Sequence, residues 1–214
     1  MTSTRVFCLG FHKTGTTSVG LALKSLGYKV TGPNWTNESD PEKILELAIK
    51  SASTNNAFQD DPWPLLYREM DEHFPGSKFI LTIRNEQKWI ESVVKHFRAD
   101  STRMREWIYG PGRGYPLGNE EIYVDRYRQH ISSVIKYFER RPEDLLILNV
   151  DEGLDWPPLC AHLGLAIPAN EFPIANASYN RNSLGAKTKR YIYWTLRRRG
   201  IISWGESPRD IFRR

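Results

Sequence analysis

The sequence predicts an α/β fold, a three-layer sandwich in which helices flank a mostly parallel central sheet. Three observations carry that expectation. Apolar runs of strand length recur along the chain, most clearly KFILTI at 78–83 and LLILNV at 145–150. Segments of helical periodicity separate the runs, the alternation that parallel sheets require. The first run, at 5–9, opens into a Gly-bounded polar loop and then a helix.

In chain order, residues 5–9 form a buried strand, 10–15 the loop and 16–26 a helix. Residues 28–31 make a short second strand. Asp40-Pro41 opens a helix that runs to 51, with Asp at the cap and Pro in the first turn. A short strand at 57–59 precedes a helix over 63–73. The strand at 78–83 lies between Pro75-Gly76 and Arg84, and 86–98 is helical. Residues 100–118 contain GPGRGYPLG and form a long loop, a kind that is more often functional or mobile than filler. A long helix covers 120–140, a strand 145–150, a helix 156–163 and a last helix 184–199. The expected organisation is one domain over 1–180, with a basic helical extension over 181–214 packed on or beside it.

Bulk properties narrow the function classes. At 214 residues the chain can bury a real core, and no apolar run approaches the roughly 20 residues that span a bilayer. A cytoplasmic protein is expected, with Cys8 and Cys160 buried and reduced. Net charge is +5, unevenly spread. From Arg181 onward ten Lys/Arg face only Glu206 and Asp210, so that tail carries +8 and residues 1–180 sum to −3. The body is no polycation and holds no nucleic-acid motif, so no nucleic-acid partner is expected. The tail suits a solvated helix, or weak contact with a membrane surface or another anion.

The loop carries the chemistry. GFHKTGTTS spans residues 10–18, and it departs from a Walker A box because its lysine, Lys13, precedes the second glycine. A strand, a Gly-bounded turn and a helix N-terminus make an anion site from free N–H groups and the helix dipole. Gly10 and Gly15 let the backbone wrap closely. Thr14, Thr16, Thr17 and Ser18 add hydroxyls, and Lys13 adds a mobile charge. A plain turn with capping threonines is the competing reading. The coincidence of Lys, two Gly and several hydroxyls in nine residues favours the phosphate loop, and with it a P-loop sandwich.

GFHKTGTTS resembles the 5′-phosphosulfate loop of sulfotransferases that use 3′-phosphoadenosine 5′-phosphosulfate (PAPS), in which a lysine precedes the glycine. That resemblance implies that Lys13 bridges the transferred sulfate and the leaving phosphate. It also implies an Arg that closes a later strand and a Ser eight residues on, both binding the 3′-phosphate; KFILTIRNEQKWIESVV supplies Arg84 and Ser92. FQDDPWPLLYREM at 58–70, YRQH at 127–130 and residues 141–176 are also similar to the small single-domain sulfotransferase-like group. The similarity covers about 5–178. One departure is Ile174, where a His would be expected after Phe172-Pro173. The resemblance implies PAPS as donor, 3′-phosphoadenosine 5′-phosphate (PAP) as product, a small-molecule acceptor and no required metal.

The acceptor hydroxyl or amine needs a base. Asp61 and Asp60 follow a strand at the sheet end that carries the loop, and Pro62 restricts Asp61 to extended or turn backbone. Alternatively both cap the helix at 63–73. His130 is another candidate base, though a helical His is commonly structural. His12, beside Lys13, touches the acceptor or cofactor, or faces solvent. Trp35, Trp63, Tyr67, Trp107 and Tyr109 are candidates for an aromatic acceptor pocket, two of them at most. Two rivals remain: a P-loop kinase or NTPase with Asp151 as its Walker B acid, and a non-catalytic nucleotide-binding module.

Overall fold

Why three loops meet at one edge follows from strand order. In the computed structural model, which describes residues 4–175, five parallel strands run β2-β3-β1-β4-β5. They are β1 (Val6–Cys8), β2 (Val30–Thr31), β3 (Ala57–Phe58), β4 (Lys78–Ile83) and β5 (Leu145–Asn149). The helices are α1 (Thr16–Ser25), α2 (Pro41–Ser51), α3 (Tyr67–His73), α4 (Glu86–Phe97), α5 (Arg103–Tyr109), α6 (Glu120–Tyr137) and α7 (Trp156–Leu163). Strand β1 sits between β3 and β4, with Phe7 in register with Phe58 and Phe79. The chain leaves β1 toward one edge, returns beside it, and then crosses to the other side. Parallel strands deliver the residues after β1, β3 and β4 to the same sheet end, the switch point where α/β sheets bind ligands.

The pleat sorts the core. Phe7, Leu9, Phe58, Phe79 and Leu81 face a large cluster with Met70, Trp89, Val93, Tyr123, Tyr127 and Val134 from α3, α4 and α6. Val6, Cys8, Ala57 and Ile80 face the other cluster, with Val19 and Leu23 of α1 and Leu159 and Cys160 of α7. Period-2 alternation therefore builds the two outer layers of the expected sandwich. Cys8 and Cys160 are both buried and unpaired. No helix among the described residues is long and apolar enough to cross a membrane.

Local chemistry sets the boundaries. Asp40 accepts from the N–H groups of Glu42 and Lys43 and Pro41 opens α2, as the sequence suggests. Two expectations change. The 100–118 stretch is not all loop: Thr102 accepts from Arg105 N–H and caps α5. Buried Arg105 then holds the following turn, donating to the carbonyls of Gly114 (2.8 Å) and Asp100 (2.7 Å) and lying over the Phe97 ring. The Gly/Pro content after residue 109 obscured this short helix. The helix expected from 63 begins only at Tyr67, because 61–66 turn through backbone bonds such as Trp63 N–H to Asp60 C=O (3.1 Å). The helix expected at 184–199 and the extension at 181–214 lie outside the described residues.

Candidate active site

The loop after β1 is clamped before anything binds. Thr14 spends its N–H and its O–H on the Phe11 carbonyl (3.3 and 2.6 Å). Its hydroxyl therefore accepts from Thr82 of β4, 2.7 Å away. A side chain on Gly10 would collide with this hydroxyl pair, so the glycine is required by close approach. Trp89 of α4 donates its indole N–H to the His12 carbonyl (2.9 Å) and stacks on Tyr127. His130 donates from Nε2 to the Leu9 carbonyl (2.7 Å), and its ring stacks on Phe11 with centroids 4.1 Å apart.

That contact makes His130 part of the loop's support. Burial pushes its pKa down to about 4. A folded pKa below the unfolded value gives stability that is present above about pH 6.5 and lost as pH falls toward 4. Wild type should lose about 3 kcal/mol more than His130→Gln between pH 7 and 4. Denaturant melts across that range measure the difference.

Lys13 and Gly15 take left-handed backbone, φ 71° and 84°. A non-Gly residue held there is strained, which is commonest at functional positions. Helix α1 then starts at Thr16, with Gly15 at its N-cap. Ser18 and Val19 N–H donate to the Gly15 carbonyl, shaping that turn. Thr17 is exposed, while Thr16 and Ser18 are buried.

Asp60 and Asp61 arrive from β3 beside this turn. Asp60, at φ 64°, accepts from Thr16 Oγ1 (3.4 Å) and from Asp61 N–H (3.1 Å). Burial first, and then the Asp61 charge, hold its carboxyl above the ordinary range. Neither aspartate caps α3, whose N-cap is Leu66. Asp61 is 7% exposed; its Oδ2 lies 3.7 Å from His12 Nδ1. His12 is buried, and its Nε2 sits 3.0 Å from the Tyr109 hydroxyl. His12 Nδ1 and Asp61 Oδ1 are both buried without a hydrogen-bond partner among the described residues. Orphaned atoms of this kind cost free energy unless something else completes them. His12, Asp60 and Asp61 also offer three metal-ligand atoms within 4.8 Å of one another.

Arg84 closes β4. Its backbone N–H donates to the Tyr127 hydroxyl (2.8 Å), which donates in turn to the Arg84 carbonyl (3.1 Å). Ser92 lies on α4, half-buried. Asp151 is used elsewhere than a Walker B acid would be. It follows the edge strand β5, accepts from Asn85 N–H (2.7 Å) and Lys88 Nζ (3.0 Å), and lies 3.9 Å from Arg84 Nε. These contacts hold its carboxyl below the usual range, the Asn85 N–H first among them.

Loop, aspartates and Arg84 thus share one sheet end, while Lys13 and the carboxylates come from adjacent strands. Sequence reasoning missed Trp89 and Tyr127 as supports; their apolar periodicity marked them only as core. Of the aromatic pocket candidates, Trp63, Tyr67 and Tyr109 are buried, Trp35 is half-buried, and Trp107 is 40% exposed. A cavity of about 570 Å³ lies at the opposite sheet end by Arg5, Asn56 and Ser77. It is remote from this chemistry.

Comparison with known proteins fits this picture. The chain is similar to "Ava biosynthesis cluster protein M" of Aspergillus versicolor, 24% identical over 244 positions, covering 94% of this chain and 90% of that protein. The model of the sulfotransferase domain family matches residues 5–114 and 102–180, which span the β1 loop, both aspartates, Arg84 and Ser92. With most of its length matched, the chain belongs to the sulfotransferase domain family.

Proposed function

We propose that this protein moves a sulfuryl group from PAPS to a hydroxyl or amine of a small-molecule acceptor by in-line transfer. The observation that carries the reading is the meeting of an anion-binding loop with the orphaned Asp61 Oδ1 and His12 Nδ1 at one sheet end. PAPS supplies an activated sulfuryl group on a 5′-phosphate. The loop N–H groups, the start of α1 and Lys13 stabilise charge that grows on the leaving phosphate. Arg84 and Ser92 take the 3′-phosphate, and His12 lies at the junction of donor and acceptor. Asp61 takes the acceptor proton as the new S–O bond (S–N for an amine) forms and the S–O bond to the 5′-phosphate breaks. Asp60 is already engaged by Thr16 Oγ1 and the Asp61 N–H, which leaves Asp61 as the carboxylate available to the acceptor. His130 serves as a loop support in this scheme, since its Nε2 is committed to Leu9. A role in a biosynthetic cluster, the setting named for the fungal relative, suits a small-molecule acceptor.

Cofactor choice tests the donor assignment. Charge-assisted bonds are worth about 1.5–3 kcal/mol each, and each 1.4 kcal/mol is about tenfold in affinity. Calorimetry should find PAP bound at least about tenfold tighter than AMP, with Arg84→Ala erasing most of the gap. Equal affinity for the two nucleotides would remove Arg84 from the site and favour another phosphate ligand.

Metal dependence separates this reading from phosphoryl transfer. A sulfuryl group carries less negative charge than a γ-phosphoryl group, so the donor loop and Lys13 suffice without a cation. Transfer should continue in EDTA. Loss in EDTA with rescue by Mg²⁺ would give the His12–Asp60–Asp61 cluster to a metal and support a kinase.

A further inference from the structure

A second cavity lies between the turn that follows Asp61 and helices α3 and α6. It measures about 250 Å³ and is lined in part by Arg68, Arg126, His130 and Ser133, with no acidic residue in its wall. That is smaller than the roughly 300–1,000 Å³ of pockets that enclose whole ligands, so it accommodates one group of a larger molecule. Pro64 and Leu65, which follow the Asp60–Asp61 turn, form one side. His130, stacked on Phe11 of the donor loop, forms another. Arg126 donates its Nε to the carbonyl of Ile108 (3.1 Å), the neighbour of Tyr109, whose hydroxyl meets His12.

Charge at this cavity is uncompensated. Arg126 is half-buried, and among the described residues no carboxylate lies within 4.0 Å of it. Arg68 likewise has no carboxylate there; it donates to the Tyr67 hydroxyl (3.2 Å) and lies over the Tyr137 ring. Two guanidinium groups around one small cavity repel each other, and a half-buried one lacks full hydration. An oxyanion between them relieves both costs through paired N–H donors. Ser133 adds a hydroxyl at the exposed rim.

We propose that this cavity binds an oxyanion carried by the acceptor, a carboxylate, phosphate or sulfate, and so selects acidic acceptors. The proposal rests on the sulfotransferase reading, and its test separates the two. With the donor loop saturated by PAP, inorganic phosphate titrated by calorimetry should bind one further site. Arg126→Gln should weaken that site by about tenfold or more, the scale of one charge-assisted bond. Ser133→Glu changes an exposed helical position, leaves the core intact, and should weaken phosphate similarly by repulsion. Labelled sulfate from PAPS should then appear only in the fraction of a metabolite extract that an anion exchanger retained before the reaction. Absence of the phosphate site, or phosphate affinity unchanged in both variants, overturns the cavity assignment while leaving PAP binding intact. Transfer to unretained material overturns the choice of acidic acceptors. Failure to bind PAP removes the donor reading and this proposal with it.

Discussion

Asp61→Asn is expected to keep PAP binding and lose about 10²–10⁴ in transfer rate, the span of a positioned general base. Asn matches Asp in size and still faces His12, but it cannot take the acceptor proton. The environment favours the assignment: Asp61 is 7% exposed, and its Oδ1 has no partner among the described residues. Asp60→Asn is the matched comparison. Asp60 accepts from Thr16 Oγ1 on Oδ2 and from the Asp61 N–H on Oδ1; in Asn the amide oxygen can keep the Asp61 N–H while the NH2 group donates to the Thr16 hydroxyl. Its substitution should therefore be mild. Single-turnover rates with PAP affinity measured alongside distinguish a lost base from a collapsed site. If Asp60→Asn fails and Asp61→Asn turns over, the roles exchange. If both turn over normally, no carboxylate base is used.

Lys13→Ala should leave the fold intact and reduce transfer by about 10²–10³, the cost of one preorganised charge stabiliser. Thr14, Trp89 and His130 hold the loop backbone on either side of Lys13. Its left-handed φ of 71° places the cost of that conformation on the residue itself. Alanine keeps that cost, so stability should change little while rate falls. Lys13→Arg keeps charge but exchanges a compact point for a planar fork, and partial recovery is expected. Wild-type turnover in Lys13→Ala would take the lysine out of the transition state.

Much of this was legible in the sequence because local chemistry decided it. KFILTI and LLILNV are strands by composition, and both pair in the sheet over the expected lengths to within one residue. Asp40-Pro41 marks a helix start by capping alone. The Gly10–Gly15 loop was legible as a tight strand-to-helix turn, with left-handed backbone at Gly15 and close approach at Gly10. Long-range packing was less accessible. His12 meets Tyr109, 97 residues away, only because Arg105 and Thr102 fold α5 within a stretch that Gly and Pro made look irregular. The aspartates read equally well as helix caps until α3 proved to start six residues beyond Asp61. Asp151 looked like a metal-binding acid because it follows a buried strand. Strand order, which periodicity does not encode, puts that strand at the sheet edge and leaves Asp60 and Asp61 on the neighbour of β1.

The most direct test of sulfuryl transfer is to incubate the protein with PAPS carrying labelled sulfate and a metabolite extract, then separate the products. The account predicts that label moves from PAPS to an organic product with wild type, that PAP accumulates in step, and that Lys13→Ala does neither at a comparable rate. PAP binding at the strength expected above, with no label transferred from extracts rich in hydroxyl and amine metabolites, would contradict the account and leave a nucleotide-binding module.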